Sequence, residues 1–539
     1  MPKWDWKRRK RQLDALQFDD LGNREAPFFE RLKLPRDTLQ RAISGLLGRM
    51  VFPGDAQYDQ DRRLWNPVFN SHPAVIIYCL TESDVRICLY LSWISGLSIT
   101  VRAGGHSTAG YSSSSGILVD VSGLNDAWID SDNPILKVGS GANCGKVAKV
   151  LDLDQAHVPY SECDSVCIGG FVQGGGYGLS SRTFGMSSDN VVSMRVMLAD
   201  GSIVTASEKT NIDLWWAMRG GTGNNFGVLL TTDYALRRIG AVYGWMISWS
   251  LATATDRQKA TAALILMQDN FFRTASPQFN IQASIFYRLV VDKVVPQLLV
   301  CGVYFGSPDE ALLLLKPLIQ SDGAELEVDT VGSYSTLSTQ LLLPQPVWKN
   351  SGPQVQPFES KQTRYVARDL TLAEWRAMLD FLTNSPPNLW SYFYLEIYGG
   401  QINSYPVENS AFIHRNVAFN ACLDVFWYPG DDPTPVQKFS KDWCDLLGPM
   451  WNGEVCQSYP NAGLADYRSN YWGGALDALV AVKAKYDPTD FFQFPQMVSP
   501  RPGCMASKPV TWPSKVALAL ARPIVRTHDS PWPASRPKV

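Results

Sequence analysis

The sequence predicts an α+β protein of two domains, on three observations. The chain has 539 residues, 45% hydrophobic and 19% charged, whereas single cores stop growing at roughly 250–300 residues. Between residues 75 and 121, short β-rich runs alternate with one helical segment and glycine turns. After about residue 240 the rhythm changes to longer alternating strands and amphipathic helices.

In chain order, residues 1–45 are charged and helix-prone, with apolar positions at Leu13, Leu16, Phe18, Leu39 and Ile43, and read as a helical extension. The first domain, 46–240, contains strands at 75–78, 98–101 and 116–119, a helix over 82–95, and glycine clusters at 169–178 and 220–227. The second domain, 241–450, has strands at 245–251, 279–291, 392–400 and 417–428, with helices at 256–270 and 309–316. A final segment, 451–500, includes an amphipathic helix over 475–486 that Asp487-Pro488 stops. The proline-rich tail, 501–539, has little core-forming pattern and is expected to be disordered or extended over the surface.

Composition narrows the function classes. The net charge is -2 with both signs dispersed, which supplies no broad basic surface for a nucleic acid. The run Lys7-Arg8-Arg9-Lys10-Arg11 reads as a solvated helix start. No apolar stretch of a secretory signal follows it, so a cytoplasmic protein is expected. No run approaches the roughly 20 apolar residues of a membrane span. Ten cysteines are scattered, with no CxxC pair and no zinc-like spacing, so neither a disulfide framework nor a metal site is expected.

Two loops carry the chemistry. Val101-Arg102-Ala103-Gly104-Gly105-His106-Ser107 follows a strand, and its paired glycines can turn backbone N–H groups toward an anion such as a dinucleotide pyrophosphate. Alone it reads more often as an ordinary turn. The run Cys163-Asp164-Ser165-Val166-Cys167-Ile168-Gly169-Gly170-Phe171-Val172-Gln173-Gly174-Gly175-Gly176-Tyr177-Gly178 holds six glycines in ten residues, more than turns explain, and close backbone approach to a ligand accounts for them better. It is neither a Rossmann fingerprint nor a P-loop.

These motifs, with Gly110-Tyr111-Ser112, Asp120-Val121-Ser122, Asp200-Gly201, Asp213-Leu214-Trp215-Trp216-Ala217-Met218-Arg219-Gly220-Gly221, Tyr471-Trp472-Gly473 and Lys483-Ala484-Lys485-Tyr486-Asp487-Pro488, resemble in order and spacing the berberine bridge enzyme-like FAD-linked oxidases. The resemblance covers about residues 50–500. It implies a two-subdomain FAD-binding domain of the vanillyl-alcohol-oxidase type, a substrate domain built on an antiparallel sheet, and a closing segment that returns to the FAD domain. It also implies FAD bound covalently, His106 matching the histidine bonded to the flavin 8α-methyl carbon and Cys163 the cysteine bonded to C6. Imidazole and thiolate are suitable nucleophiles for an electron-poor ring. Cys167, four residues on, stands where the family usually has glycine and is expected to be a buried structural thiol. Val166 matches an oxygen-gating position beside the flavin. The cofactor set implied is Arg102, Gly104, Gly105, His106, Ser107, Gly110, Cys163, Val166, Gly169, Gly170, Gly174, Gly175, Gly178 and Val204.

The family's base is often the second Tyr of a Tyr-x-Asn-Tyr segment. Here the stretch reads Tyr459-Pro460-Asn461-Ala462, so that base is missing. Tyr392, Tyr394, Glu396 and Tyr398 alternate in a strand and share one face, which either lines the substrate cavity or faces solvent. Glu396 is the leading acid–base candidate because burial raises a carboxyl toward neutrality; Tyr394, Tyr459 and Tyr111 follow, then Tyr467 and His414.

The expected activity is an oxidase that takes two electrons from an alcohol, hemiacetal or activated C–H of a small natural product or sugar and is reoxidised by molecular oxygen. Alternatives are a dehydrogenase, a redox-neutral flavoprotein of this fold, and a non-catalytic FAD-containing protein. The partners are a small-molecule substrate and oxygen; the sequence leaves the oligomeric state open.

Overall fold

In the computed structural model of the chain, residues 40, 43–130, 132–272, 276–290, 292–341, 355–499 and 523–528 are described. Most of the predicted N-terminal extension, including the basic run, and most of the tail, including Cys504, lie outside them.

A four-stranded sheet runs in the order Arg49–Val51, Val75–Tyr78, Ile117–Asp120, Ile99–Arg102. The last three strands are parallel and the first is antiparallel to its neighbour. The helix Glu82–Ser95 covers it. Thr81 accepts from the Asp84 amide while the Asp84 carboxylate accepts from the Thr81 amide, and Gly96 closes the helix at φ 72°. Strand alternation decides the packing: Val75, Ile77, Ile117 and Val119 meet Val85, Cys88 and Leu89 of the helix, whereas Ile76 and Leu118 meet Val51 and Tyr58 on the other face.

A six-stranded antiparallel sheet follows, ordered Arg526–His528, Ile203–Ser207, Val191–Met197, Val228–Ala235, Ile135–Gly139, Ala127–Asp130. Its first strand comes from the tail, extended and exposed along the sheet edge. Residues 526–528 pair with Ile203 and Val204, held by Thr527 Oγ1 donating to the Ile203 carbonyl at 2.8 Å and by Asn211 bonding the Val525 backbone. Three residues without amphipathic period are too short to signal a strand.

The seven-stranded antiparallel sheet has the order Glu325–Gly332, Val242–Ser250, Lys293–Tyr304, Phe279–Val290, Tyr392–Ile397, Phe419–Trp427, Phe358–Val366. The helices Ala254–Met267, Pro308–Ile319, Leu372–Asn384 and Thr434–Leu447 bury their apolar stripes against one face, where Trp245, Ile247, Phe393, Leu395 and Ile397 meet Leu264, Leu315, Trp375 and Trp443. The opposite face presents Tyr392, Tyr394 and Glu396. The predicted strand over 392–400 ends at Ile397, and a short helix, Gly400–Ser404, follows because Gly399 and Gly400 adopt φ 95° and 51°.

Beyond residue 450 the chain packs back on the first domain. The helix Leu476–Tyr486 joins the core containing Leu214 and Trp216. Its fully buried Lys483 ammonium bonds the Asp487 carboxylate at 2.6 Å and the carbonyls of Asn225 and Phe492, satisfying all three ammonium donors.

Candidate active site

A cavity of about 690 Å³ is lined by both predicted loops, by 222–229, and by the polar face of the seven-stranded sheet. One wall is built from turns. Gly104, Gly105, His106 and Ser107 line it, as do Cys163, Val166, Gly169, Gly170 and Gly174. His106 lies against Trp65, ring centroids 4.7 Å apart and planes at 23°. Burial lowers its imidazole to about 4, against a hydrogen bond with the Ser165 backbone, so the ring is neutral and nucleophilic at pH 7. Ser165 Oγ lies 3.0 Å from His106 Nε2 and 3.4 Å from Cys163 Sγ.

Cys163 is half-buried and Cys167 buried. The Cys167 thiol donates to the Gly141 carbonyl at 3.4 Å, and burial raises it to about 12. A Cβ on Gly104 would stand 3.1 Å from Cys167 Sγ and from the Ser165 carbonyl. Cys167 lines the same cavity but makes no hydrogen bond with His106.

The glycine cluster divides in two. Within the helix Ile168–Gln173, a Cβ on Gly170 would meet nothing within 4 Å, although glycine inside a helix costs about 0.5–1 kcal/mol relative to alanine. No protein contact demands it, so an open cradle for a bound group is the physical reason left. By contrast, a Cβ on Gly178 would lie 2.2 Å from the Tyr160 carbonyl, and one on Gly175 2.6 Å from the Phe412 ring. Those glycines serve packing within the protein, and neither lines the cavity.

Three further residues of the expected cofactor set lie outside the cavity lining. Arg102 pairs with Asp120 at 2.6 Å, both buried, and fixes the loop from behind. Gly110, at φ 75°, lies against the Phe69 ring. Val204 is fully buried in the core with Val196 and Leu214, while its strand neighbour Ile203 joins the other cluster, as period-two alternation requires. None of the three lines the cavity.

The opposite wall is built from strands. Glu396 is 2% exposed; it accepts from Tyr459 Oη at 2.7 Å and from Asn420 Nδ2 at 2.9 Å. Burial raises its carboxyl, partly offset by those bonds and by Lys361. Lys361 Nζ pairs with Asp424 at 2.8 Å, donates to Tyr394 Oη at 3.0 Å, and lies 4.6 Å from the Tyr459 ring centre. Burial disfavours the Lys361 charge, yet the neighbouring Asp424 and Glu359 outweigh it and raise its pKa. Two more carboxyls, Glu162 and Glu359, are each raised to about 7, chiefly by burial and then by the charges of Glu396 and Asp424 respectively. Burial also keeps Tyr394 and Tyr459 protonated well above the ordinary phenol range.

Tyr111 lines the cavity with its ring 5.3 Å from Phe494, and its buried Oη has no hydrogen-bond partner among the described residues. Tyr398 leaves the cavity for a hydrogen bond with Tyr365 at 2.9 Å. Tyr467 donates to the Met497 carbonyl, and His414 bridges Glu454 and Gln457, so both are structural. Ala462 is exposed outside the cavity. Sequence reading missed Trp65, Glu162, Ser165, Glu359, Lys361, Asn420 and Asp424. Strand alternation signals Glu359 and Lys361; the others become neighbours only through tertiary pairing. It missed also Thr222 and Asn224, cavity-lining residues at φ 66° and 63°, a conformation rare outside glycine.

Comparison with known proteins adds two family matches: residues 73–207 fit the family described as "FAD binding domain" and residues 458–499 fit that described as "Berberine and berberine like". An uncharacterized FAD-linked oxidoreductase of Bacillus subtilis is 27% identical over 463 residues, covering 84% of this chain and 98% of that protein. The chain carries an FAD binding domain and a berberine-like segment, and proteins similar to it are named FAD-linked oxidoreductases. FAD is its cofactor. Among solved structures similar to this chain, BBE-like 1 from Physcomitrella patens has a TM-score of 0.74 at 24% identity, and glucooligosaccharide oxidase from Acremonium strictum 0.75 at 20%. Each covers 86% of this chain and 99% of the solved one, which shows a shared fold. No helix among the described residues is long and apolar enough to cross a membrane, and no group of three or more His, Cys, Asp or Glu among them is placed to hold a metal ion.

Proposed function

We propose that the protein is an FAD-dependent oxidase acting on an alcohol, hemiacetal or activated C–H of a small molecule, with FAD attached through His106 and Cys163. The observation that carries the reading is the buried Glu396 carboxylate, hydrogen-bonded by Tyr459 at 2.7 Å in the same cavity as His106 and Cys163. FAD held along the wall of His106, Cys163 and Gly170 would supply the two-electron acceptor for substrate hydride, with oxygen as the oxidant that restores it.

The chain's own residues supply proton handling and orientation. Glu396 takes the substrate proton; desolvation brings its pKa toward the operating pH, as a general base requires. Tyr459 and Asn420 hold the carboxylate in place. The Lys361 ammonium donates to Tyr394 Oη, so the Tyr394 proton is free to point at a substrate oxygen. Val166 flanks the attachment wall as the candidate oxygen-gating residue. The glucooligosaccharide oxidase named above is described as carrying a 6-S-cysteinyl, 8α-N1-histidyl FAD, which supports the double attachment.

Two measurements test this. Acid precipitation should leave flavin on the polypeptide in wild type, H106A and C163A and release it in the double variant; wild type that releases all its flavin removes both attachments. Anaerobic mixing with a panel of alcohols, reducing sugars and aromatic natural products should bleach the flavin, with colour returning on aeration. Bleaching that persists in air means a dehydrogenase, and no bleaching by any compound means a binding or redox-neutral protein.

A further inference from the structure

Ser165 sits between the two attachment nucleophiles. The turn Cys163–Val166, closed by the Val166 amide donating to the Cys163 carbonyl at 3.1 Å, carries Ser165 at its third position. There one hydroxyl reaches both His106 Nε2 at 3.0 Å and Cys163 Sγ at 3.4 Å. The turn approaches the His106 loop this closely because Gly104 has no Cβ. Stacking on Trp65 fixes the plane of the His106 ring.

A neutral imidazole has one N–H and one lone pair, and a hydroxyl has a single proton to give. His106 Nε2 faces the Ser165 hydroxyl, and the ring also meets the Ser165 backbone. Two directions satisfy the row: Nε2–H donates to Ser165 Oγ while the hydroxyl donates to the Cys163 sulfur, or the Cys163 S–H donates to Oγ while the hydroxyl donates to Nε2. In either direction one hydroxyl ties the imidazole and the sulfur to the same turn.

We infer that Ser165 is a positioning residue for covalent flavin attachment, holding the His106 imidazole and the Cys163 sulfur in place through one hydroxyl. The inference rests on the attachment reading above. At His106 an 8-methyl C–H and the imidazole N–H are exchanged for a C–N bond. At Cys163 the C6–H and the S–H are exchanged for a C–S bond. Each exchange releases two electrons and two protons, which reduce one molecule of oxygen to one of hydrogen peroxide.

The test compares wild type, S165A and S165T, harvested identically and incubated with FAD in air. Peptide mass mapping reads occupancy at His106 and at Cys163 separately. S165A should remain yellow before acid but fill both positions about tenfold more slowly, the effect of losing one hydrogen bond to a charged or developing charged group. S165T, which keeps a hydroxyl, should restore at least half the wild-type rate. Wild-type rates in S165A at either position overturn the inference while leaving the attachment reading intact. S165A that holds no flavin even before acid, together with an equally empty S165T, assigns Ser165 to folding and overturns it. Wild type with neither position occupied overturns both.

Discussion

The two walls of the cavity are made of different material. The attachment wall consists of turns and glycine-rich backbone that bring His106, Ser165 and Cys163 together. The wall opposite consists of side chains on adjacent strands, where Glu396, Lys361, Asp424 and Tyr394 hold one another. In the first, position is set by what is absent, the Cβ atoms that would keep segments apart. In the second it is set by charge pairing and by the register that puts Tyr394 opposite Cys422 and Tyr392 opposite Asp424. The attachment wall should therefore tolerate loss of single side chains in its chemistry, whereas the sheet wall should fail when one charge is removed.

E396Q gives the largest expected effect. Flavin reduction should slow by about 10²- to 10⁴-fold, the usual contribution of a general base, in anaerobic rapid mixing, with flavin content unchanged; an unchanged reductive rate removes Glu396 as the base. K361M comes next. It leaves the Asp424 carboxylate, whose side chain is 2% exposed, without its ammonium, and should cost roughly 3–5 kcal/mol of stability by thermal or denaturant melting. An unaltered melt would show that the pair contributes nothing to the sheet wall.

V204A sharpens the boundary of the cofactor site. Removing buried methyl groups from the core around Val204 should cost roughly 2 kcal/mol, while the fraction of acid-stable flavin stays at the wild-type level. Loss of flavin without loss of stability would return Val204 to the cofactor set. The smallest effect is a shift in a pH profile. The reductive rate should rise with pH as Glu396 ionises. In Y459F the carboxylate loses a donor that lowers its pKa, so the midpoint of that rise should move to higher pH. A fixed midpoint would mean that Tyr459 only packs.

Legibility in the sequence followed the same division. Gly104 and Gly170 were readable as places of close approach because the constraints acting on them are local, a turn and a short helix, whereas His106 and Cys163 were singled out by the family resemblance. Period-two alternation also identified the face bearing Tyr392, Tyr394 and Glu396, with the choice between cavity and solvent left to the fold. Lys361 and Asp424 could not be paired in advance, since they lie 63 residues apart and meet only through register between Phe358–Val366 and Phe419–Trp427. Gly175 and Gly178 misled for a related reason. Glycine density marks close approach without saying whether the approaching partner is a ligand or, as at Tyr160 and Phe412, the protein's own chain.

The strand Arg526–His528, paired on Ile203–Ser207, has a consequence for how the protein is handled. An outermost strand with unpaired amides and carbonyls is a template for another chain. A chain cut after residue 499 would leave the Ile203–Ser207 side of the six-stranded sheet open, and light scattering should then report self-association even where activity and flavin content are retained.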